Sequence, residues 1–114
     1  MGDIETAWVG AMIDGEGTIQ IYRDLPGRRG ISVHVRVINT EVEIISTLLR
    51  LVGAGSVHYH RPSPNGLGHK DQWIWDIGRR AQARSLLQRI WPFLAAKRER
   101  AQEAMHLLGE PCHA

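Results

Sequence analysis

Thr6 to Arg23 reads TAWVGAMIDGEGTIQIYR, and the fold turns on how this stretch divides. Ile4, Ala7, Trp8, Ala11 and Met12 recur at three- and four-residue intervals, the spacing of one helix face. The period predicts a helix from Ile4 to Ile13, ended by Gly15 and Gly17. Thr18 to Arg23 alternates instead: Ile19 and Ile21 fall on one side, Thr18, Gln20 and Tyr22 on the other, as in a half-buried strand. Asp14 and Glu16 therefore sit where a helix hands over to a strand. The C-terminal end of a helix carries unpaired carbonyls and a partial negative charge, so each exposed acid there costs about 0.3–1 kcal/mol. Two readings are open. One is an ordinary helix end with acidic turn residues; the other is a pair of acids whose cost is offset by a bound divalent cation, which prefers carboxylate, carbonyl and water oxygens. Gly15 and Gly17 permit left-handed backbone angles and close approach of a second chain or a nucleic-acid backbone. Ala7, Gly10 and Ala11 form a stripe of small residues along which two copies of the helix could touch, and this stripe favours the second reading.

Further along, DLPGRRG carries Pro26, Gly27 and Gly30 and predicts a hairpin turn. The return strand ISVHVRV places Ile31, Val33, Val35 and Val37 inward and Ser32, His34 and Arg36 outward. Val42, Ile45, Leu48, Leu49 and Val52 then mark a second helix, which Thr40 could cap and Gly53 could close. A second hairpin follows, SVHYHR to QWIWDI, with Trp73, Trp75 and Ile77 on the buried side. Ala83, Leu86, Leu87 and Ile90 give a third helix over Ala81 to Trp91, interrupted by Pro92. A last helix is expected from Phe93 to Leu108. The order is αββαββαα, an α+β fold whose antiparallel sheet has one face under helices and the other open.

The open face is the informative one. Its expected occupants are Gln20, Tyr22, Ser32, His34, Arg36, Ser56, His58, His60 and Gln72, donors and acceptors suited to base edges in a major groove. Arg28, Arg29, Arg61 and Lys70 lie in or beside the hairpin loops, where they could reach phosphates. An ordinary solvated sheet face would also be polar, so the pattern alone leaves both readings standing. His58, His60 and His69 could be drawn as a zinc site, but no second cysteine or clear ligand set completes a tetrahedron. Trp73, Trp75 and Trp91 read as core; Trp8 either packs under the sheet or lies at a subunit interface.

Composition sets wider bounds. The 114 residues, 43% of them apolar, suffice for one domain, expected over residues 1–109 with 110–114 as a short tail holding Cys112 and His113. Fourteen Lys and Arg against twelve Asp and Glu leave a formal charge of +2, and a pI near 9.1 is compatible with a polyanionic partner. A single cysteine rules out an internal disulfide framework and suits a reducing, intracellular setting. No run approaches the roughly 20 apolar residues of a membrane span, and no signal peptide is visible, so a soluble protein is expected. No Gly-rich phosphate loop, nucleophile elbow or internal repeat appears, and no organic cofactor is expected.

WVGAMIDGEG, Trp8 to Gly17, resembles the motif of the LAGLIDADG homing endonucleases: Val9 to Gly17 align with its nine positions, with Ile13, Asp14 and Gly17 identical. Gly10 and Ala11 exchange the motif's Ala and Gly, small for small. The resemblance extends through VINTEVEIISTLLRLVGAGSV and WIWDIGRRAQARSLLQRIWPFLAAKRERA, and the family fold is αββαββαα, the order already read. It implies a metal-dependent DNA endonuclease of the kind tied to intron or intein mobility. Glu16 would bind the catalytic Mg²⁺ (or Mn²⁺), aided by the Gly15 carbonyl. Asp14 matches the first acid, more often structural; Asn39 would hold water near the scissile phosphate, and Lys97 would lie near the cleaved bond. A single motif implies a homodimer through Ala7, Trp8, Gly10 and Ala11, reading a nearly palindromic double-stranded DNA site and leaving short 3′ overhangs. The rival function is a non-cleaving DNA binder or an RNA-binding splicing helper on the same scaffold.

Overall fold

The computed structural model describes residues 1–61 and 70–109, except for the side chains of Leu25, Arg28 and Arg29. The elements follow in the order α1 (Asp3–Glu16), β1 (Gly17–Leu25), β2 (Arg28–Asn39), α2 (Val42–Val52), β3 (Ser56–His60), β4 (Gln72–Ile77), α3 (Arg80–Ile90), a 3₁₀ turn (Trp91–Phe93) and α4 (Arg98–Leu107). All strands pair antiparallel in one sheet of order β1-β2-β4-β3. The two hairpins thus meet through β2 and β4, with Val35 opposite Ile77 and Val37 opposite Trp75. This matches the α+β expectation.

Alternation decides which face is covered. Ile19, Val33, Val35, Val37, Trp75 and Ile77 are buried and meet Val9 and Ile13 of α1, Ile45 and Leu48 of α2, Leu86, Leu87 and Ile90 of α3, and Met105 of α4 in one core. Trp73 and Trp91, expected in the core, are only partly buried at its margin. Trp75 is fully buried and its indole N–H donates to the Ala54 carbonyl at 3.0 Å. That contact depends on the turn into β3: Gly53 ends α2 at φ 73° and Gly55 follows at φ 105°, where a Cβ would press on the indole nitrogen at 2.6 Å. Both are backbone angles that side chains disfavour.

Four expected details change. The first helix does not stop at Ile13: Gly15 lies within α1, and Gly17, at φ −98°, is extended rather than left-handed. Gly17 is needed for space, because a Cβ there would stand 2.8 Å from the Ile13 carbonyl oxygen and 3.2 Å from that of Arg36. Thr40 does not cap α2. Glu41 occupies the cap position, and its N–H is bound by Asn39 Oδ1 at 2.8 Å. The last helix begins at Arg98, not Phe93: Pro92 sits inside a 3₁₀ turn, which tolerates its missing N–H, and the chain bends over residues 94–97 before α4. Arg98 stacks its guanidinium 4.4 Å from the Trp91 ring centre across that bend. Among the described residues no helix is long and apolar enough to cross a membrane. The expected tail at 110–114, with Cys112 and His113, and the histidine at 69 lie outside the described residues.

Candidate nucleic-acid interface and acidic helix end

The two acids of the helix end have different fates. Asp14 points back into its own chain: its carboxylate accepts the backbone N–H of Ala95 at 3.1 Å, of Ala96 at 3.2 Å and of Lys97 at 2.9 Å. These N–H groups belong to the turn that leads into α4, with Lys97 its N-cap residue, so Asp14 ties the end of α1 to the approach to α4. The Lys97 N–H and then those of Ala96 and Ala95, against some desolvation, hold its carboxyl below the ordinary value. The Lys97 ammonium in turn donates to the Asp14 carbonyl, placing a cation at the negative end of α1. The cost of an acid there is met by the protein itself, and no cation is required for Asp14. Glu16 is exposed and has no hydrogen-bond or ion-pair partner among the described residues. Gly15 beside it is open, with nothing within 4 Å of the position a Cβ would take.

Asn39 ends β2 at the same end of the sheet, two residues beyond Val37, which pairs with Gly17. Its Oδ1 is occupied by the Glu41 N–H, which leaves the Nδ2 group as the part able to act on a ligand.

The small stripe on α1 splits between two faces. Gly10 is buried inside its own chain, where a Cβ would lie 2.9 Å from Phe93 Cβ and 3.6 Å from Ile90 Cβ. It is thus removed from the expected contact with a second copy, because small size there serves close packing of α1 on α3. Ala11 is exposed, Ala7 and Trp8 are half-buried, and Ile4 is 88% exposed. Ile4, Ala7, Ala11 and Gly15 follow helical spacing and form an outer stripe, while Trp8 beside it packs in part against the chain's own core.

The open sheet face is ordered by its register. Thr18, Arg36, Asp76 and Ser56 stand in one row across the four strands, and Gln20 stands opposite His34 in the next. Asp76, on the face but not expected to matter, organises it. Its Oδ1 meets His34 Nδ1 at 2.9 Å and its Oδ2 accepts from Arg36 Nη2 at 2.8 Å and Nε at 3.2 Å. Burial pushes this carboxyl up, but the bonds from His34 and Arg36 outweigh it and hold the group below its ordinary value. His34 is wedged further: Tyr22 meets it edge-on at 5.5 Å, and its ring lies so close to Gly78 that a Cβ there would overlap it. Tyr22 donates its hydroxyl proton to Gln20 Oε1. Arg36 is therefore a held guanidinium, not a free one. A carboxylate placed outward among outward cations was the available sequence signal for Asp76.

Ser32 corrects the expected list. Only 8% of it is exposed, because it lies on the part of β2 that β4 leaves unpaired, in a depression of about 600 Å³ shared with Arg79, Arg80 and Leu108. It does not stand out as a base reader. Ser56, His58 and His60 are exposed on the edge strand β3, with Ser56 Oγ 3.1 Å from His58 Nε2. Gln72 is half-buried opposite His60, and Arg61 and Lys70 are exposed at the hairpin end. The backbones of Arg28 and Arg29 start β2; their side chains lie outside the described part.

Solved structures with this arrangement identify the architecture. The homing endonuclease I-CvuI in complex with its target superposes with TM-score 0.71 at 20% identity, over 93% of this chain and 66% of that one. The fold is that of the LAGLIDADG homing endonucleases. The group I intron-encoded homing endonuclease I-CeuI complexed with DNA gives TM-score 0.72 at 13% identity, over 95% of this chain and 55% of that one. The LAGLIDADG meganuclease I-AabMI bound to uncleaved DNA gives 0.61 at 14%, over 88% and 32%. The chain thus spans between a third and two thirds of the length of these LAGLIDADG structures. No protein-family model and no curated protein sequence matches it.

Proposed function

We propose that the chain is a site-specific, metal-dependent DNA endonuclease. In this reading two copies bind a long, nearly palindromic duplex and cut one phosphodiester in each strand. One observation carries it: Glu16 is an exposed, unpartnered carboxylate at the end of a helix whose outer stripe is small and apolar, beside a sheet face of donors and acceptors. The stripe supports pairing, since an apolar strip with Ile4 88% exposed is a surface a second chain would cover. Two-fold pairing through α1 would bring two Glu16 side chains together and give each sheet one half-site. The neighbours described in complex with DNA support the choice of partner.

The donor set fits a hard divalent cation shared between chains. Among the described residues no group of three or more His, Cys, Asp or Glu could hold a metal within one chain, so Glu16 and the Gly15 carbonyl from both copies, with phosphate oxygens, would complete the ligands. Mg²⁺ or Mn²⁺ bound there supplies a Lewis acid that neutralises phosphate charge and lowers the pKa of a water. The chain's own groups do the rest. Asp14 ties α1 to the start of α4 and so fixes where Glu16 stands. Lys97, held on the Asp14 carbonyl, adds positive charge at the end the phosphate approaches. The free Nδ2 of Asn39 is a donor for an ordered water. Arg61 and Lys70, and Arg28 and Arg29 from the other hairpin, would bind phosphates, while Gln20, Tyr22, His34, Arg36, His58, His60 and Gln72 face bases.

Incubation with a randomised duplex library and Mg²⁺ tests this directly. Scission of both strands at a reproducible sequence is expected, abolished in Glu16→Gln with the melting temperature unchanged or slightly raised, since removing an exposed charge from the negative helix end stabilises by at most about 1 kcal/mol. Binding of duplex without scission in the unmodified protein would leave a DNA binder and overturn the enzyme.

A further inference from the structure

The polar face has an apolar row at the acidic end. Ile38 of β2 stands directly opposite Ile74 of β4, and Ile74 opposite His58 of β3. All three share the parity of Arg36, Asp76 and Ser56 and so belong to the open face. Ile38 is 42% exposed and Ile74 half-buried. Single exposed apolar residues are common, but two in register make a contiguous spot with no helix above it. Its place is also fixed: Val37 pairs with Gly17, so Ile38 lies one residue past the strand position that adjoins Glu16. The next row, Arg36 with Asp76, is about 6.6 Å further along the strand, and the polar residues Gln20, His34 and Tyr22 lie beyond that.

We propose that Ile38 and Ile74 are specificity-determining residues that read the 5-methyl group of thymine at the base pairs nearest the cut. This rests on the duplex-binding reading above. In the major groove thymine differs from every other base in presenting a methyl group, and apolar side chains are what contact it. Neither isoleucine can donate or accept a hydrogen bond, so neither selects guanine, adenine or cytosine by their polar edges. The outer rows, by contrast, carry fixed donors and acceptors. Each half-site therefore has an apolar readout near the dyad and a polar readout further out.

The test uses the full-length protein and duplexes enriched from a randomised library by binding without Mg²⁺. Each thymine of the enriched site is replaced in turn by deoxyuridine, which lacks only the methyl group. One or two thymines on each side of the dyad should lose about three- to fivefold in affinity on replacement, the worth of one buried methyl. The same replacement should cost nothing in Ile38→Ser or Ile74→Ser, whose melting temperatures and circular dichroism report an intact fold. An enriched site without a deoxyuridine-sensitive position near the dyad overturns the inference while leaving duplex binding standing, as does sensitivity that persists in both variants. Failure to enrich any duplex overturns the duplex-binding reading, and this inference with it.

Discussion

The carboxylate of Asp14, at the unfavourable end of α1, accepts three N–H groups of the bend just before α4, close to the favourable end of that helix. Asp76 does similar work on the sheet, where His34 and Arg36 converge on it. Both carboxyls are held below their ordinary value. The stability each contributes is therefore complete above about pH 4, the unfolded-state value, and is lost as the pH falls through the lowered folded-state values. Thermal melting across an acid titration should show a steeper loss below pH 4 in the unmodified protein than in Asp14→Asn, which binds no proton there. Identical slopes would contradict the role of Asp14 in holding the turn before α4. Glu16, two residues on, joins no such network, and on that difference between neighbouring acids rests its proposed role as a metal ligand.

At the scale of elements, α1 presents two apolar faces with different tasks. Gly10 packs on Ile90 and Phe93 of its own chain, whereas Ala11 and Ile4 face outward. Gly10→Leu should therefore overpack the α1–α3 contact and lower stability by about 1–3 kcal/mol, measured by denaturant unfolding. Ala11→Arg should leave the fold intact by circular dichroism and sediment as a single chain. If Gly10→Leu keeps full stability and only separates the copies, the two faces have been assigned the wrong way round. Small residues in a row disclose close packing but not its direction, so Gly10 and Ala11 looked alike in the sequence. Periodicity did carry the order of elements, because Ile19 with Ile21, Val33 with Val35 and Leu86 with Ile90 alternate or recur at the right spacing. It missed the late start of α4, since the bend over residues 94–97 is held by Asp14, some eighty positions away, and no local pattern reports that contact. Ser32 alternated correctly yet ended up buried, at the floor of a depression it shares with Arg80 and Leu108 where β4 stops short of it.

The whole molecule reads as half of a machine. One chain has a four-stranded polar face, the unpartnered Glu16 at its end and an apolar stripe beside that acid, and under the proposed function a second copy turned about a two-fold axis would complete each of them. The sequence made the polar face and the acid legible; it concealed the Asp76 network, which exists only once β2 and β4 lie side by side. The mass of the protein–duplex complex in solution, measured by sedimentation equilibrium on a duplex enriched by the protein itself, is the most direct test. Two chains of 12.8 kDa per duplex are expected, whereas a single chain on the duplex at every protein concentration would contradict the pairing on which the shared acidic site depends.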